Sequence, residues 1–174
     1  MAAALPAPPV LVGHSMGGFV VQKYLEEHEA PAAVLLASVP PSGELPIMLR
    51  LARNRPIDVL KANLKLSLWP IISDPRKAHS LLFSTRMPLA EAARFHRLLQ
   101  DDSVLGFLDC LMFDLVRTKR ISSPILVMGA DDDVLVAAKE VEATASAYNA
   151  KTTFFKHVAH DMMLDPGWRQ WLTR

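Results

Sequence analysis

The chain has 174 residues, a length typical of one domain, and 51% of them are hydrophobic, which excludes a disordered segment and supports a buried core. Its 19 Lys and Arg residues nearly balance its 18 Asp and Glu residues, and a formal net charge of +1 argues against nucleic acid as a partner. The single cysteine, Cys110, excludes an intramolecular disulfide and a zinc site built from several cysteines.

The first segment, residues 1–12, is apolar but lacks a basic start and is interrupted by Pro6, Pro8 and Pro9. Such a segment resembles neither a signal peptide nor a membrane-spanning helix, which favours a cytoplasmic protein. Its last four residues, PVLV, form an apolar run that ends at Gly13 and predicts a buried strand of a parallel sheet.

Further apolar runs predict three more buried strands, and amphipathic segments predict helices after the strands. The strands are predicted at 32–39, 124–128 and 152–155, and the helices at 19–28, at 137–148 and around Trp168 and Trp171. This order of strands and helices predicts an α/β fold with a parallel sheet.

A long block between the second and third predicted strands has a different character. Its apolar residues recur at helical spacing, and prolines 56, 70, 75 and 88 divide it into short pieces. We expect a helical insertion at 45–121, with a core built from 1–44 and 122–174.

The sequence GHSMGG at 13–18 lies where the first predicted strand meets the first predicted helix. A nucleophilic serine at such a turn holds a strained backbone, and its neighbours two positions away must be small so that strand and helix can approach. Gly13 and Gly17 meet this requirement, and Gly18 adds clearance. The pattern predicts that Ser15 is a nucleophile at the positive end of a helix dipole.

A nucleophilic serine needs a histidine base that is oriented by a carboxylate. The three aspartates at 131–133 follow the third predicted strand and Gly129, and His160 follows the fourth. In proteins whose nucleophilic serine lies at a strand-to-helix turn, the acid and then the histidine follow the serine along the chain. The order is the same here. Because the carboxyl ends of parallel strands meet at one edge of the sheet, we expect Ser15, one of the aspartates and His160 to lie close together.

These segments resemble the α/β-hydrolase superfamily, in the branch of lysophospholipase-like and monoglyceride-lipase-like serine esterases. The resemblance rests on GHSMGG at 13–18, PILVMGADDD at 124–133 and HVAHDMMLDPGW at 157–168. It implies a partial α/β-hydrolase fold, a parallel sheet with flanking helices, in which the insertion at 45–121 is a helical cap or lid.

The resemblance also implies the residues of a catalytic triad. In the family the acid is usually the third residue after the glycine that ends the strand, which selects Asp132 and leaves Asp133 as the alternative. The implied triad is therefore Ser15, Asp132 and His160. The backbone N–H of Met16 is implied as an oxyanion donor.

Other side chains are expected to pack or to line the substrate pocket. His14, which precedes the nucleophile, is expected either to pack against its neighbours or to line the pocket. The apolar residues of the insertion either line an acyl pocket or form the insertion's own core; those considered are Leu49, Leu64, Trp69, Leu82 and Phe83.

The resemblance covers only the later part of the family fold, because family members have several further strands before the serine. We therefore expect an incomplete gene product, a chain that pairs with a second copy or another polypeptide, or a degenerate relative. The first strand is expected to have an open apolar edge that invites self-association. Loss of one of two oxyanion donors is expected to lower the rate about 10²–10³-fold.

The leading hypothesis for function is hydrolysis of a small-molecule ester with an apolar acyl or aromatic group, without a cofactor. No metal-ligand spacing such as His-x-x-x-His occurs in the sequence. The alternative is a truncated or degenerate fragment that is not catalytic and acts as an interaction module by strand addition.

Overall fold

The computed structural model describes residues 5–168, in which four parallel strands form one sheet. The strands are β1 (Leu11–His14), β2 (Ala33–Leu36), β3 (Ile125–Ala130) and β4 (Thr152–Phe155). Their order across the sheet is β1-β2-β3-β4, and each neighbouring pair is parallel. The predicted α/β fold with a parallel sheet is confirmed.

One face of the sheet is covered by the two long helices that follow β1 and β3. These are α1 (Met16–Leu25) and α8 (Ala138–Ala147). Leu35 of β2 and Val127 of β3 pack against α8 and are almost fully buried, because side chains on both faces of a parallel sheet are apolar.

The opposite face of the sheet is less covered by residues 5–168. Side chains alternate along a strand, so Val12 of β1 and Leu126 of β3 point away from α1 and α8. Their side chains are 62% and 38% exposed. Within the described part of the chain, β1 is also an edge strand.

Residues 45–121, between β2 and β3, consist of short helices and turns. They are α2 (Leu45–Asn54), α3 (Pro56–Lys65), α4 (Trp69–Ile72), α5 (Pro75–Leu82), α6 (Leu89–His96), α7 (Val104–Leu108), a π-helical turn (Asp109–Phe113) and a 3-10 turn (Thr118–Arg120). The insertion has its own apolar core, in which Leu51, Ile71, Leu81 and Phe83 are buried.

Proline sets where these helices begin. Four of them carry a proline in their first two positions, where the missing N–H has no intrahelical acceptor to lose. Pro88 stands immediately before α6, and Asp74 caps α5 by accepting the N–H groups of Arg76 and Lys77.

Two polar contacts fasten the insertion to the core. Arg50 of α2 donates to Glu140 of α8 at 2.9 Å and to the carbonyl of Leu135. Ser84, just after α5, donates through its N–H and its hydroxyl to the fully buried carboxylate of Asp165.

Some predicted boundaries were wrong by two or three residues. Helix α1 begins at Met16 and not at residue 19, because the chain turns into the helix directly after Ser15. Strand β3 continues through Gly129 and Ala130, two residues beyond the predicted end. Trp171 and the end of the last predicted helix lie outside the described residues. No helix within residues 5–168 has the length and apolarity needed to cross a lipid bilayer.

Candidate active site

Ser15 lies at the sharp turn between β1 and α1, and its backbone is strained. Its φ of 53° and ψ of −125° are unusual for a residue with a side chain. The surrounding backbone holds this conformation: the N–H of Ser15 donates to Leu36, and its carbonyl accepts from Gly18 and Val39. The turn thus presents the serine hydroxyl at the carboxyl end of the sheet.

The glycines around Ser15 have different reasons to be small. A Cβ on Gly13 would lie 2.6 Å from the carbonyl oxygen of Gly17 and from the Cα of Gly18, so strand and helix meet there. A Cβ on Gly18 would collide with Ser38. A Cβ on Gly17 would meet nothing within 4 Å, so the prediction that residue 17 must be small was wrong.

Ser15, His160 and Asp133 form a continuous chain of hydrogen bonds. The Nδ1 of His160 lies 2.8 Å from a carboxylate oxygen of Asp133. A carboxylate can only accept, so Nδ1 carries the proton and Nε2 is free to accept. The Ser15 hydroxyl then donates to Nε2 at 2.9 Å. His160 is only 3% exposed, which keeps this geometry away from bulk water.

The carboxylate beside His160 belongs to Asp133, so the choice of Asp132 was wrong. Because β3 continues to Ala130, the next two residues still follow β4: Asp131 donates its N–H to Phe155 and Asp132 to Val158. The Asp132 side chain is exposed, whereas Asp133 is buried. The acid therefore comes one residue later than the glycine-based rule implied.

Asp133 and His160 are each held by further contacts. The second carboxylate oxygen of Asp133 accepts the N–H groups of Leu135 and Val136, which locks its side-chain orientation. The loop carrying His160 is tied to the insertion, because Asp161 donates its N–H to the carbonyl of Leu82 at 2.8 Å. These contacts reduce the freedom of both groups before any substrate binds.

The two histidines of the site have opposite pKa shifts. Burial and the nearby His160 lower the pKa of His14 to about 4, so its ring is neutral near pH 7. Its Nε2–H donates to the carbonyl of His160, and the two rings pack 4.7 Å apart. Burial alone would lower the pKa of His160, but the carboxylate of Asp133 outweighs burial and raises it.

The amide of Met16 is suitably placed to stabilise a negative charge beside Ser15. Met16 is the first residue of α1, where N–H groups lack an intrahelical acceptor and the helix dipole is positive. Both Met16 and Gly17 line the cavity that contains the serine.

This cavity has a volume of about 580 Å³ and lies between the insertion and the core. The core contributes Ser15 and His160, and the insertion contributes apolar side chains that include Leu51, Ile71 and Phe107. An elongated apolar group can therefore be enclosed next to the serine.

The five insertion residues that were expected to line a pocket or to pack in the insertion's core do not share one environment. Leu82 lines the cavity, whereas Phe83 is buried in the insertion's own core. Leu49 and Leu64 are largely exposed. Trp69 packs its ring against His96, at a centroid distance of 5.5 Å.

Glu44, at the start of α2, is a carboxyl group in this cavity that the sequence did not reveal. Its pKa is raised from the ordinary value of 4.5 to about 7, chiefly by burial; the charge of His160 opposes this shift, and the charge of Asp102 adds to it. The folded state therefore favours the neutral acid, and wild type loses stability as the pH rises from about 4.5 to about 7.

We expect Glu44→Gln, which cannot ionise, to be more stable than wild type at pH 8 by roughly 2 kcal/mol in unfolding free energy. At pH 4, below the ordinary pKa, the difference should nearly vanish, because Glu44 is then largely neutral in both the folded and the unfolded states. Urea unfolding at both pH values measures this difference. Glu142→Gln, on the exposed side of α8, is the control; a pH-independent difference for Glu44→Gln would contradict the burial of an ionisable carboxyl.

Among residues 5–168, no group of three or more His, Cys, Asp or Glu side chains is arranged to hold a metal ion. An arrangement such as that of Ser15, His160 and Asp133 can activate a serine hydroxyl, because the imidazole can take its proton.

Comparison with known proteins identifies the family. The model of the alpha/beta hydrolase family matches residues 1–168. The chain belongs to the alpha/beta hydrolase family. The predicted superfamily is therefore confirmed, and the four parallel strands with flanking helices are part of the α/β-hydrolase fold. No curated protein sequence matches the chain.

Several solved structures resemble this α/β-hydrolase. An esterase from Exiguobacterium antarcticum has a TM-score of 0.65 and 18% identity, over 94% of this chain and 63% of that protein. A monoacylglycerol lipase from Paleococcus ferrophilus has a TM-score of 0.64 and 21% identity, over 98% and 67%. Rv0554 from Mycobacterium tuberculosis has a TM-score of 0.64 and 23% identity, over 87% and 58%.

At these identities the likeness shows the fold alone. This α/β-hydrolase spans only part of each of these proteins: 58% of Rv0554, 63% of the esterase and 67% of the monoacylglycerol lipase. Sequence reasoning brought Ser15 and His160 together correctly in space and gave Asp133 only as the alternative acid, and it missed Glu44 and Asp165. A longer β3 was the signal that would have selected Asp133. Asp165 lies within the HVAHDMMLDPGW segment, but nothing in that segment distinguishes it from Asp161.

Proposed function

We propose that this α/β-hydrolase is a serine hydrolase that cleaves carboxylic esters, with Ser15, His160 and Asp133 as its catalytic triad. The observation that carries the proposal is the chain of two hydrogen bonds, 2.9 Å and 2.8 Å long, from the serine through the imidazole to the carboxylate. The strained backbone of Ser15 supports it, since strain of this kind collects at functional residues.

In the proposed reaction, the Ser15 oxygen attacks the ester carbonyl while Nε2 of His160 takes the hydroxyl proton. The Met16 amide donates to the oxyanion of the tetrahedral intermediate. His160 then returns the proton to the leaving alcohol, and an acyl-serine remains. Water, deprotonated by His160, releases the acid and restores the serine.

Asp133 has two functions in this mechanism. It accepts the Nδ1 proton of His160, which keeps the tautomer whose Nε2 is a base. Its negative charge also stabilises the imidazolium that forms when the serine proton is transferred, which agrees with the raised pKa of His160. No cofactor takes part.

The substrate class we propose is an ester with an apolar acyl or aromatic group, as in lysophospholipase-like and monoglyceride-lipase-like enzymes. The cavity supports this choice, because apolar side chains of the insertion line it together with Ser15. In this proposal residues 45–121 act as a cap over the core formed by 1–44 and 122–174.

A fluorophosphonate tests the proposal, because it forms a covalent bond only with an activated serine. We expect one adduct per chain in wild type, none in Ser15→Ala and strongly reduced labelling in His160→Ala, measured by intact-protein mass spectrometry. Ser146→Ala removes an exposed hydroxyl on α8 and should be labelled like wild type.

The same measurement distinguishes the hydrolase from the second candidate function, which is an interaction module without catalysis. The exposed Val12 side chain on the edge strand β1 favours this candidate. A well-folded wild type that takes no label would overturn the hydrolase proposal and leave the interaction module.

A further inference from the structure

Apart from two histidines, the ionisable side chains that line the cavity are all carboxylic acids. Glu44, Asp101, Asp102 and Asp161 line it, and none of the described lining residues is Lys or Arg. The remaining titratable side chains are His160, the proposed base, and His14, which is neutral near pH 7. Through the low-dielectric walls of the cavity, these carboxylates give it a negative potential.

The carboxyl groups of the cavity differ in their hydrogen bonds to the rest of the protein. Asp101 accepts three backbone N–H groups, which commits it to holding the chain at the start of α4. Glu44 stands at the N-cap position of α2, but its side chain does not cap the helix. Its Oε2 atom is buried and has no hydrogen-bond partner among residues 5–168.

Asp161 and Asp102 add to the unbalanced charge around Glu44. Asp161 uses its backbone to fix the His160 loop, while its largely buried carboxylate also faces the cavity. Burial raises the pKa of Asp161 and the pKa of Asp102, and neighbouring carboxylates add to both shifts. Ionising a buried carboxyl without a partner is unfavourable, and a cation in the cavity lowers that free-energy cost through its charge.

We propose that Glu44, assisted by Asp161 and Asp102, makes the cavity selective for esters that carry a positive charge close to the scissile bond. The inference rests on the proposed function and narrows its substrate class. The apolar part of such an ester lies among the insertion's leucines, and its cationic nitrogen lies at Glu44, in the cavity that also contains Ser15. The preferred substrate is thus a cationic amphiphile, distinct from a neutral or an anionic ester.

The test compares two thioesters of the same shape at pH 8, where Glu44 is largely ionised. Butyrylthiocholine carries a quaternary nitrogen, and S-(3,3-dimethylbutyl) thiobutyrate has a carbon in its place. A thiol-reactive chromophore reports both reactions. We expect kcat/KM to be at least about tenfold higher for the cationic thioester, the size of effect that one nearby partly buried charge produces.

The ratio of the two kcat/KM values is the readout in the variants. Glu44→Gln should lower the ratio about tenfold, and Asp161→Asn should lower it in the same direction. Glu142→Gln removes the same charge from an exposed position on α8, outside the cavity lining, and should leave the ratio unchanged.

The possible outcomes separate the inference from the proposed function. A ratio near one that Glu44→Gln does not alter, in a protein that takes the fluorophosphonate label, overturns the cation selectivity while the hydrolase stands. A folded protein that neither takes the label nor cleaves either thioester overturns the hydrolase and the selectivity together. A tenfold ratio that collapses in Glu44→Gln but not in Glu142→Gln supports the inference.

Discussion

Asp133→Asn is expected to lower kcat for ester hydrolysis about 10⁴-fold, whereas Asp132→Asn should change it less than about threefold. Asparagine at 133 keeps an oxygen that accepts the N–H groups of Leu135 and Val136, so the loop retains its shape. Its amide nitrogen, however, would face Nδ1 of His160 as a donor. The imidazole would then carry its proton on Nε2 and could not accept from Ser15.

The neighbouring aspartate is a matched control for this experiment. Asp132→Asn makes the same chemical change one residue away, on an exposed side chain. Steady-state kinetics with a p-nitrophenyl ester gives kcat, and urea unfolding shows whether each variant is folded. A larger loss in Asp132→Asn than in Asp133→Asn would contradict the assignment of the acid.

The fold was predictable because its strands are short apolar runs that helices separate. Buried parallel strands are apolar at every position, and this signal located all four strands to within a few residues. Ser15 and His160 were predictable for a related reason. Ser15 follows β1 directly and His160 lies in the loop after β4, and the carboxyl ends of parallel strands lie at one edge of the sheet.

The acid was not predictable, because the choice among three adjacent aspartates depends on where β3 ends. Two additional residues, Gly129 and Ala130, continue the pairing with β4 and shift the functional position from Asp132 to Asp133. A strand boundary is uncertain by about two residues in any reading of a single sequence. That uncertainty is larger than the one-residue difference between the two candidates.

Glu44 was not predictable for a different reason: it belongs to no motif, and its environment arises from distant parts of the chain. The cavity beside it combines α2 with the His160 loop and with residues 98–102. Only the packing of the insertion on the core reveals that its Oε2 atom is buried without a hydrogen-bond partner in the described part of the chain.

The insertion and the His160 loop are structurally connected, which has a consequence for substrate entry. Leu82 accepts the N–H of Asp161, and Ser84 donates to Asp165, so the end of α5 and the residues just after it are hydrogen-bonded to the segment that follows His160. Movement of α5 to admit a substrate would therefore act on the position of His160. The insertion both lines the cavity and supports the proposed base.

The most direct test of the account is whether Ser15 and His160 act as one unit. Groups that act together in one step do not have additive effects, because removing either one already abolishes the step. We expect Ser15→Ala and His160→Ala each to lower kcat/KM for a p-nitrophenyl ester by about five to six orders of magnitude.

The double variant, Ser15→Ala with His160→Ala, completes this measurement. The account predicts that its kcat/KM equals that of either single variant within about threefold, since the shared step is already lost. A double variant that loses the product of the two single effects, or a folded single variant with near wild-type activity, would show that the serine and the histidine do not act together.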